Sequence, residues 1–411
     1  MIDYLKILPK SLAALIFCCI VGAFLPSKST AQSGYVLEPI PDVWYNSVDG
    51  IRVGVRVLGY VPGTFGGGPH RLDAGIWLGT KIPEHPVSYY LSFTEPIPSI
   101  SAFGSEANIN LTSLYRTGFQ QHGITFNKRW QTGFEERNYK ELSIGFRAEH
   151  RFDEDYLLYP QLWQDDWLFL IGVDLDITHE NKLGRYYLSF RTDLNLGGQY
   201  QEFIRSAVSV QQEWAFSETF SLTGRLFAGA ASNQAAPEYL FMRSLETARF
   251  WMNSGLTRAR GTIPPAWIEA GFIQVTGGPN LRGYLNRDIE LLNNSVTPLF
   301  TSFTAFNLQL GYPNPLDAAF NNISVVGEFI NLHSYLFLDT GTSLGFTASE
   351  VDELLADAGA GFRFSINIPD KLGKPRGLVI RYDIPFWVSH PGNEEPFKFR
   401  SVIGIGAVIS L

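Results

Sequence analysis

Long runs of this sequence alternate between apolar residues and polar or small ones with a period of two. In the first run the apolar residues are Ile51, Val53, Val55 and Val57, and Arg52, Gly54 and Arg56 lie between them. Similar runs occupy residues 72–78, 167–177 and 378–386, and Trp77 is the one exception. Because successive side chains of a strand point to opposite faces, each run predicts a strand with one apolar face.

The length of these runs and the residues near their ends indicate what covers the apolar faces. In a soluble sandwich a second sheet would cover them, and the same alternation would result. Strands of about ten residues with aromatic residues near their ends favour lipid outside and water inside. Only helices and closed barrels satisfy their backbone hydrogen bonds in lipid. The sequence therefore predicts an all-β fold, a transmembrane antiparallel β-barrel.

The N-terminus has the pattern of a secretory signal peptide. Lys6 and Lys10 precede an apolar run from Leu12 to Leu25, and small residues follow up to Ala31. The run is shorter than the roughly 20 residues of a membrane anchor. We therefore expect a signal peptide at residues 1–31, a short periplasmic segment at 32–45 and the barrel at 46–411. Sixteen strands would fit at about 24 residues per strand and connection, although this arithmetic does not exclude twelve or eighteen.

Composition excludes several classes of function. Both cysteines, Cys18 and Cys19, lie in the predicted signal peptide, which argues against a disulfide scaffold, a thiolate metal site and a cysteine nucleophile. The net charge of -8 argues against a nucleic-acid partner.

Two short segments could carry chemistry, and a loop is the favoured interpretation of each. Residues 341–345 read Gly-Thr-Ser-Leu-Gly, the spelling of a hydrolase nucleophile elbow, which needs a strand-to-helix turn and ordered Asp and His partners. The acidic residues Asp153, Glu154 and Asp155 could hold Ca²⁺, but a solvated loop explains them as well. The seven histidines show no metal-ligand spacing. We expect no enzyme activity, no cofactor and no metal.

Four motifs follow one another in the last third of the chain. Residues 277–284 read Gly-Gly-Pro-Asn-Leu-Arg-Gly-Tyr, residues 327–329 Gly-Glu-Phe, residues 337–341 Phe-Leu-Asp-Thr-Gly, and residues 358–363 Ala-Gly-Ala-Gly-Phe-Arg. In this order they resemble the bacterial surface antigen superfamily, which includes the barrels of the BamA and TamA insertases and of two-partner-secretion transporters. The resemblance covers roughly residues 270–411.

The resemblance implies a sixteen-stranded barrel with an extracellular loop folded into the lumen. That loop would carry Leu281, Arg282, Gly283 and Tyr284, with Glu328 and Asp339 as the acidic partners of Arg282 on consecutive strands and Phe337 and Gly341 as the strand motif. A guanidinium offers five fixed donors, so two carboxylates can bind it through charge-assisted hydrogen bonds.

The last segment resembles the C-terminal recognition signal of outer-membrane barrels. Its residues are Gly404, Gly406, Ile409 and Leu411. Such signals most often end in Phe, so Leu411 departs from the pattern.

The resemblance implies a place and a role, and it leaves three functions open. Relatives that insert or secrete proteins carry periplasmic POTRA domains before the barrel, and the sequence offers no room for them between the cleavage site and the barrel. We expect an integral protein of the Gram-negative outer membrane, acting in protein or lipid assembly or translocation. The alternatives are a diffusion or substrate-specific channel and a membrane anchor for a separate soluble enzyme. Expected partners are outer-membrane lipids and lipopolysaccharide, a second copy or a periplasmic or surface lipoprotein, and the barrel assembly machinery during biogenesis.

Overall fold

Strands make up most of the computed structural model. It describes residues 34–46, 50–61, 70–81, 84–116, 118–133, 135, 137–155, 157–217, 219–251, 265–323, 330–346, 353–369, 375–392 and 394–405. None of the helices among these residues is long and apolar enough to cross a membrane.

The strands follow the chain in a regular series, and three short helices interrupt it. The strands of the first half are β1 (Val36–Asn46), β2 (Gly50–Tyr60), β3 (Arg71–Gly79), β4 (Val87–Pro96), β5 (Ala107–Arg116), β6 (Phe119–Gln131), β7 (Tyr139–Arg151), β8 (Leu168–Asn181) and β9 (Gly184–Asn195). Those of the second half are β10 (Phe203–Ala215), β11 (Ser221–Ala231), β12 (Ile273–Val275), β13 (Phe300–Gly311), β14 (Ile330–Phe346), β15 (Leu355–Pro369), β16 (Pro375–Val388) and β17 (Val402–Ile405). The helices are α1 (Pro265–Glu269), α2 (Leu285–Asn293) and α3 (Pro315–Asn321).

With the exception of β12, each strand pairs antiparallel with the strand that follows it in the chain. The pairing runs without interruption from β1 to β11, continues from β11 to β13, and ends at β17. The short strand β12 belongs to the long connection between β11 and β13, and it pairs in parallel with β17. Among the described residues no pairing joins β1 to β17.

The first strand begins earlier than the sequence analysis expects. Residues 36–46 form β1 and pair along their whole length with β2, from Val36 opposite Tyr60 to Asn46 opposite Gly50. Residues 36–45 are therefore part of the sheet and not of a segment that precedes it. The early start was hidden because Pro39 and Pro41 interrupt the alternation there, and proline is tolerated in a strand mainly at a sheet edge.

The sheet is apolar on its outer face and polar on its inner face. Apolar side chains that remain exposed include Ile51, Val53, Ile76, Leu78, Ile124, Ile144, Leu226, Leu336 and Leu338. Charged and amide side chains of the same sheet that are buried include Arg52, Asp193, Asn195, Arg205, Asn307, Asp339, Asp357 and Asp383. A soluble protein buries its apolar face instead, whereas a barrel in lipid has the arrangement seen here.

Trp77, the exception in the alternation of β3, is an inward-facing side chain. Its indole is 2% exposed and donates from Nε1 to Asp42 Oδ2 at 3.3 Å. A Cβ atom at Gly54 or Gly75 would overlap the ring, so these two glycines make room for it. At this point the polar face of the sheet carries a large aromatic residue, and two glycines accommodate it.

Candidate functional site

The described residues of the connection between β11 and β13, which are 232–251 and 265–299, fill the interior of the sheet, and we call them the lumen loop. It contains α1, β12, α2 and short 3-10 turns at Pro237–Tyr239, Ala248–Trp251 and Arg282–Tyr284. Its apolar residues, among them Met242, Leu245, Ile273, Leu285 and Ile289, form a buried cluster with residues of the β7–β8 connection such as Leu162 and Trp163. The lumen loop therefore packs through a hydrophobic cluster that it shares with the β7–β8 connection and with strand residues such as Leu170 and Phe203.

Arg282 fixes one side of the lumen loop to β14. Its Nε donates to Asp339 Oδ2 at 2.7 Å and its Nη2 to Asp339 Oδ1 at 2.8 Å, and both side chains are 0% exposed. The guanidinium also lies 3.8 Å from the ring centre of Phe337 and 3.5 Å from Asp383 of β16. The predicted contact between Arg282 and Asp339 is present, and Phe337 supplies a cation–π face beneath it.

Two glycines allow this close approach. A Cβ atom on Gly283 would lie 2.6 Å from Cβ of Asp357 and 2.9 Å from Cγ2 of Val388. A Cβ atom on Gly341 would lie 2.7 Å from the carbonyl oxygen of Thr304. Glycine at both predicted positions is therefore required by packing against β13, β15 and β16.

The other residues of the Leu-Arg-Gly-Tyr motif are buried as well. Leu281 is 0% exposed, and its N–H donates to the carbonyl of Arg243 at 2.9 Å. The Tyr284 hydroxyl is 3.0 Å from Ser389 Oγ in the connection after β16. The motif therefore joins the lumen loop to β14 and to the end of β16.

Several predicted site residues lie outside the described residues. They are Glu328, Gly406, Ile409 and Leu411. The role of Glu328 as a second partner of Arg282 stays a prediction, and in the described part of the chain Asp383 lies 3.5 Å from the Arg282 guanidinium. Gly404 is described and lies in β17, opposite Arg381 of β16.

A second anchor, absent from the sequence analysis, ties the lumen loop to β7. Arg249 donates from Nε and Nη2 to the two carboxylate oxygens of Glu149, each at 2.6 Å, and the Tyr239 hydroxyl donates to Glu149 at 2.7 Å. Arg249 Nη2 also donates to Gln121 of β6 at 2.8 Å. Because Arg282 reaches β14 and Arg249 reaches β7, the sheet must curve around the lumen loop, which spans its interior.

The sequence held only a faint signal for this anchor. Arg249 lies between Ala248 and Phe250 without a recognisable motif, and Glu149 lies in an ordinary polar position of β7. Since 100 residues separate the two partners, no spacing rule could have paired them.

A third ion pair holds the lumen loop together internally. Arg243 donates from Nε to Asp288 Oδ1 of α2 at 2.8 Å, and the Ser244 hydroxyl donates to Asp288 Oδ2 at 2.6 Å. The carbonyl of Ser244 in turn accepts from Gln274 Nε2 at 2.6 Å. These contacts fix α2 and β12 relative to the turn that precedes them.

Two carboxyl groups outside the strands have shifted pKa values. Burial raises the pKa of Glu238 to about 7, against hydrogen bonds that include one from Gln164. Although burial opposes it, hydrogen bonds from Lys398 and Arg400 lower the pKa of Glu394. Glu238 Oε2 has no hydrogen-bond partner among the described residues, so its ionisation in place is unfavourable.

The structure describes the two segments that the sequence analysis considered as an enzyme motif and a metal site. Residues 341–345 lie within β14 and not at a strand-to-helix turn. Glu84, His85 and Asp153 place potential metal-ligand atoms within 4.8 Å of one another, with His85 Nε2 at 3.6 Å from Asp153. This proximity was not predicted, because the residues come from two connections far apart in sequence.

Comparison with known proteins gives similarity to solved structures but to no family model or curated protein. No family model matches the chain, and no curated protein matches it. Among solved structures, the chain is similar to BamA from Haemophilus ducreyi lacking POTRA domains 1–3, with 12% identity and a TM-score of 0.48. The match covers 89% of this chain and 69% of the other. In fold, the protein is similar to BamA.

Proposed function

We propose that this protein is an outer-membrane barrel that assembles or translocates proteins or lipids with the help of partner proteins. The observation that carries the proposal is the lumen loop, anchored by Arg249 to β7 and by Arg282 to β14. A lumen filled in this way is poorly suited to free diffusion. A filled lumen is better suited to assembly or translocation at the seam between β1 and β17, the first and last strands of the sheet.

The polar interior supports a membrane location. Inward-facing charges are paired across neighbouring strands, such as Arg56 with Asp73 at 2.7 Å, while the opposite faces of the same strands are apolar. This pattern is stable only where lipid surrounds the sheet. We propose the outer membrane of a Gram-negative bacterium, where lipids, lipopolysaccharide and lipoproteins would be the neighbours.

The test is the identity of the proteins that co-purify with it. A tag in the β4–β5 connection, which spans residues 97–106, allows gentle purification from native outer membranes, followed by mass spectrometry. A stoichiometric partner protein is expected. Recovery of the barrel alone, at every detergent concentration tried, would contradict the proposal.

A channel is the second candidate, because part of the interior stays accessible to water. Asp174 of β8 and Arg191 of β9 pair at 2.7 Å, yet their side chains are 36% and 40% exposed. Charged side chains at such a position would set the selectivity of a pore. Large, stable conductance in planar bilayers would favour this function over the first. A soluble hydrolase among the co-purifying chains would favour an anchoring role.

A further inference from the structure

We propose that β12 occupies the free edge of β17 and that β1 can pair with this edge only after β12 leaves it. A hydrogen bond between Arg381 and Gln274, which passes over Gly404, holds β12 in place, and we call this contact the latch. The inference rests on the proposed function, since it names what controls the seam at which the barrel would work.

The pairing of β12 with β17 is specific in register. Ile273, Gln274 and Val275 lie opposite Ile403, Gly404 and Ile405. The N–H of Ile403 donates to the carbonyl of Phe272 at 2.8 Å. Ile273 and Val402 also belong to the buried apolar cluster of the lumen loop. The loop therefore contributes both backbone and side-chain contacts to the last strand.

The latch is a row of three residues on neighbouring strands. Arg381 of β16, Gly404 of β17 and Gln274 of β12 are successive register partners. Arg381 Nη2 donates to Gln274 Oε1 at 3.0 Å, and both side chains are buried. A Cβ atom on Gly404 would lie 2.6 Å from Arg381 Nη2. The absence of a side chain at Gly404 is what lets the arginine reach across β17 to the lumen loop.

Occupation by β12 and by β1 is mutually exclusive. A strand has two edges, and β16 already takes one edge of β17. β12 covers only three residues of the other edge, whereas β1 presents eleven residues that pair on one side with β2 and, among the described residues, with no strand on the other. Unpaired backbone groups in hydrocarbon cost several kcal/mol each. A transition in which β1 replaces β12 is therefore favoured once the latch is released.

Disulfide trapping measures which strand occupies the edge. Beyond Cys18 and Cys19 the chain has no cysteine, so engineered thiols are the only ones in the barrel. Ile273→Cys with Ile403→Cys reports the β12 state, because paired strands lie about 4.8 Å apart, within disulfide range. Ile403→Cys combined with single cysteines along β1 reports the β1 state. In outer membranes we expect the 273–403 cross-link to dominate.

Variants that break the latch should form less of the 273–403 cross-link and more of the cross-link between β1 and residue 403. Gly404→Ala drives a methyl group against Arg381, and Gln274→Leu removes the acceptor without a clash. Each should lower the ratio of the β12 cross-link to the β1 cross-link about tenfold, which corresponds to 1.4 kcal/mol. Gly224→Ala is the matched control, because a Cβ atom there meets nothing closer than 3.6 Å, and it should leave the ratio unchanged.

Two results would overturn the inference. One is failure of the 273–403 pair to cross-link in protein that is folded by its heat-modifiable migration. The other is an unchanged ratio in both Gly404→Ala and Gln274→Leu. Neither readout depends on a partner protein, so failure of the proposed function would appear separately as an absence of co-purifying chains.

Discussion

At the scale of single residues, two arginines hold the lumen loop by the same chemistry in different places. Arg282 and Arg249 each place two nitrogens on one carboxylate, of Asp339 and Glu149 respectively, and all four side chains are buried. Burying such a pair gains little net stability because both ions lose water. Removing one partner, in contrast, leaves an uncompensated buried charge, which is strongly destabilising.

The first prediction concerns Arg249, which no sequence motif marks. Arg249→Ala should destabilise the docked lumen loop by about 1.5–3 kcal/mol, because Glu149 loses two charge-assisted hydrogen bonds and keeps Arg147, 2.8 Å away, as its remaining cation. The measurement is the rate at which protease cleaves the loop in intact outer membranes, together with the temperature at which heat-modifiable migration is lost. Arg282→Ala should behave alike.

The control for this prediction is a pair on the surface. Arg287 and Glu290 of α2 lie 3.3 Å apart with side chains 32% and 52% exposed. Exposed pairs contribute about 0–1 kcal/mol, so Arg287→Ala should leave cleavage nearly unchanged. Equal protection in Arg249→Ala and Arg287→Ala would mean that Arg249 does not anchor the loop.

The second prediction concerns pH and Glu238. Its pKa in the folded protein, about 7, lies above the ordinary 4.5. Between these values the folded state binds a proton that the unfolded state has lost, so the free energy of unfolding falls as pH rises from about 4.5 to 7 and stays low above it. Glu238→Gln should remove this loss, worth about 3 kcal/mol at pH 8. Urea unfolding in detergent at pH 5 and pH 8 checks it. A pH dependence that is the same in Glu238→Gln would contradict the assignment to Glu238.

At the scale of elements, the strands could be predicted and the lumen loop could not. The alternation at 51–57, 72–78, 167–177 and 378–386 falls within β2, β3, β8 and β16, apart from Trp167 at the edge of β8. Apolar residues recur at every second position of a strand because one face of the sheet lies against a uniformly apolar environment. The surroundings of the lumen loop change from residue to residue, so its sequence has no regular hydrophobic period. For this reason β12, α2 and the Arg249 contact could not be predicted from the sequence. The Arg282 contact was predictable only through the motif it shares with a known family.

The third prediction tests how tightly one turn of the lumen loop fits its strands. In Gly283→Ala the new methyl group would collide with Asp357 and Val388, at 2.6 and 2.9 Å. Overpacking of this kind costs about 1–3 kcal/mol, and it should weaken the Arg282 contact beside it. Loop cleavage by protease should therefore rise in Gly283→Ala and not in Gly224→Ala. Equal resistance in the two variants would show that the turn has room to move.

At the scale of the whole molecule, apolar and charged residues are distributed in the opposite way to a soluble protein. The outer face of the sheet is apolar, its inner face carries buried charges, and the apolar clusters inside the sheet combine residues of the lumen loop with a few from strands such as β8 and β13. The loop therefore acts as a small domain held in a polar container by a few ion pairs. The position of the lumen loop depends on a few ion pairs, whereas the sheet is held by hydrogen bonds along all of its strands.

The fourth prediction follows from this dependence. If each anchor alone can keep the lumen loop inside the sheet, Arg249→Ala and Arg282→Ala should each leave only small, flickering conductance in planar bilayers. The double variant should open a large, stable conductance, since both buried arginine–carboxylate pairs that tie the loop to β7 and β14 are then lost. The two effects should be strongly non-additive, because both anchors hold the same element. Arg287→Ala in the same assay should conduct like the unaltered protein. A double variant that conducts no more than the single ones would mean that the apolar core of the loop, and not its arginines, keeps the lumen closed.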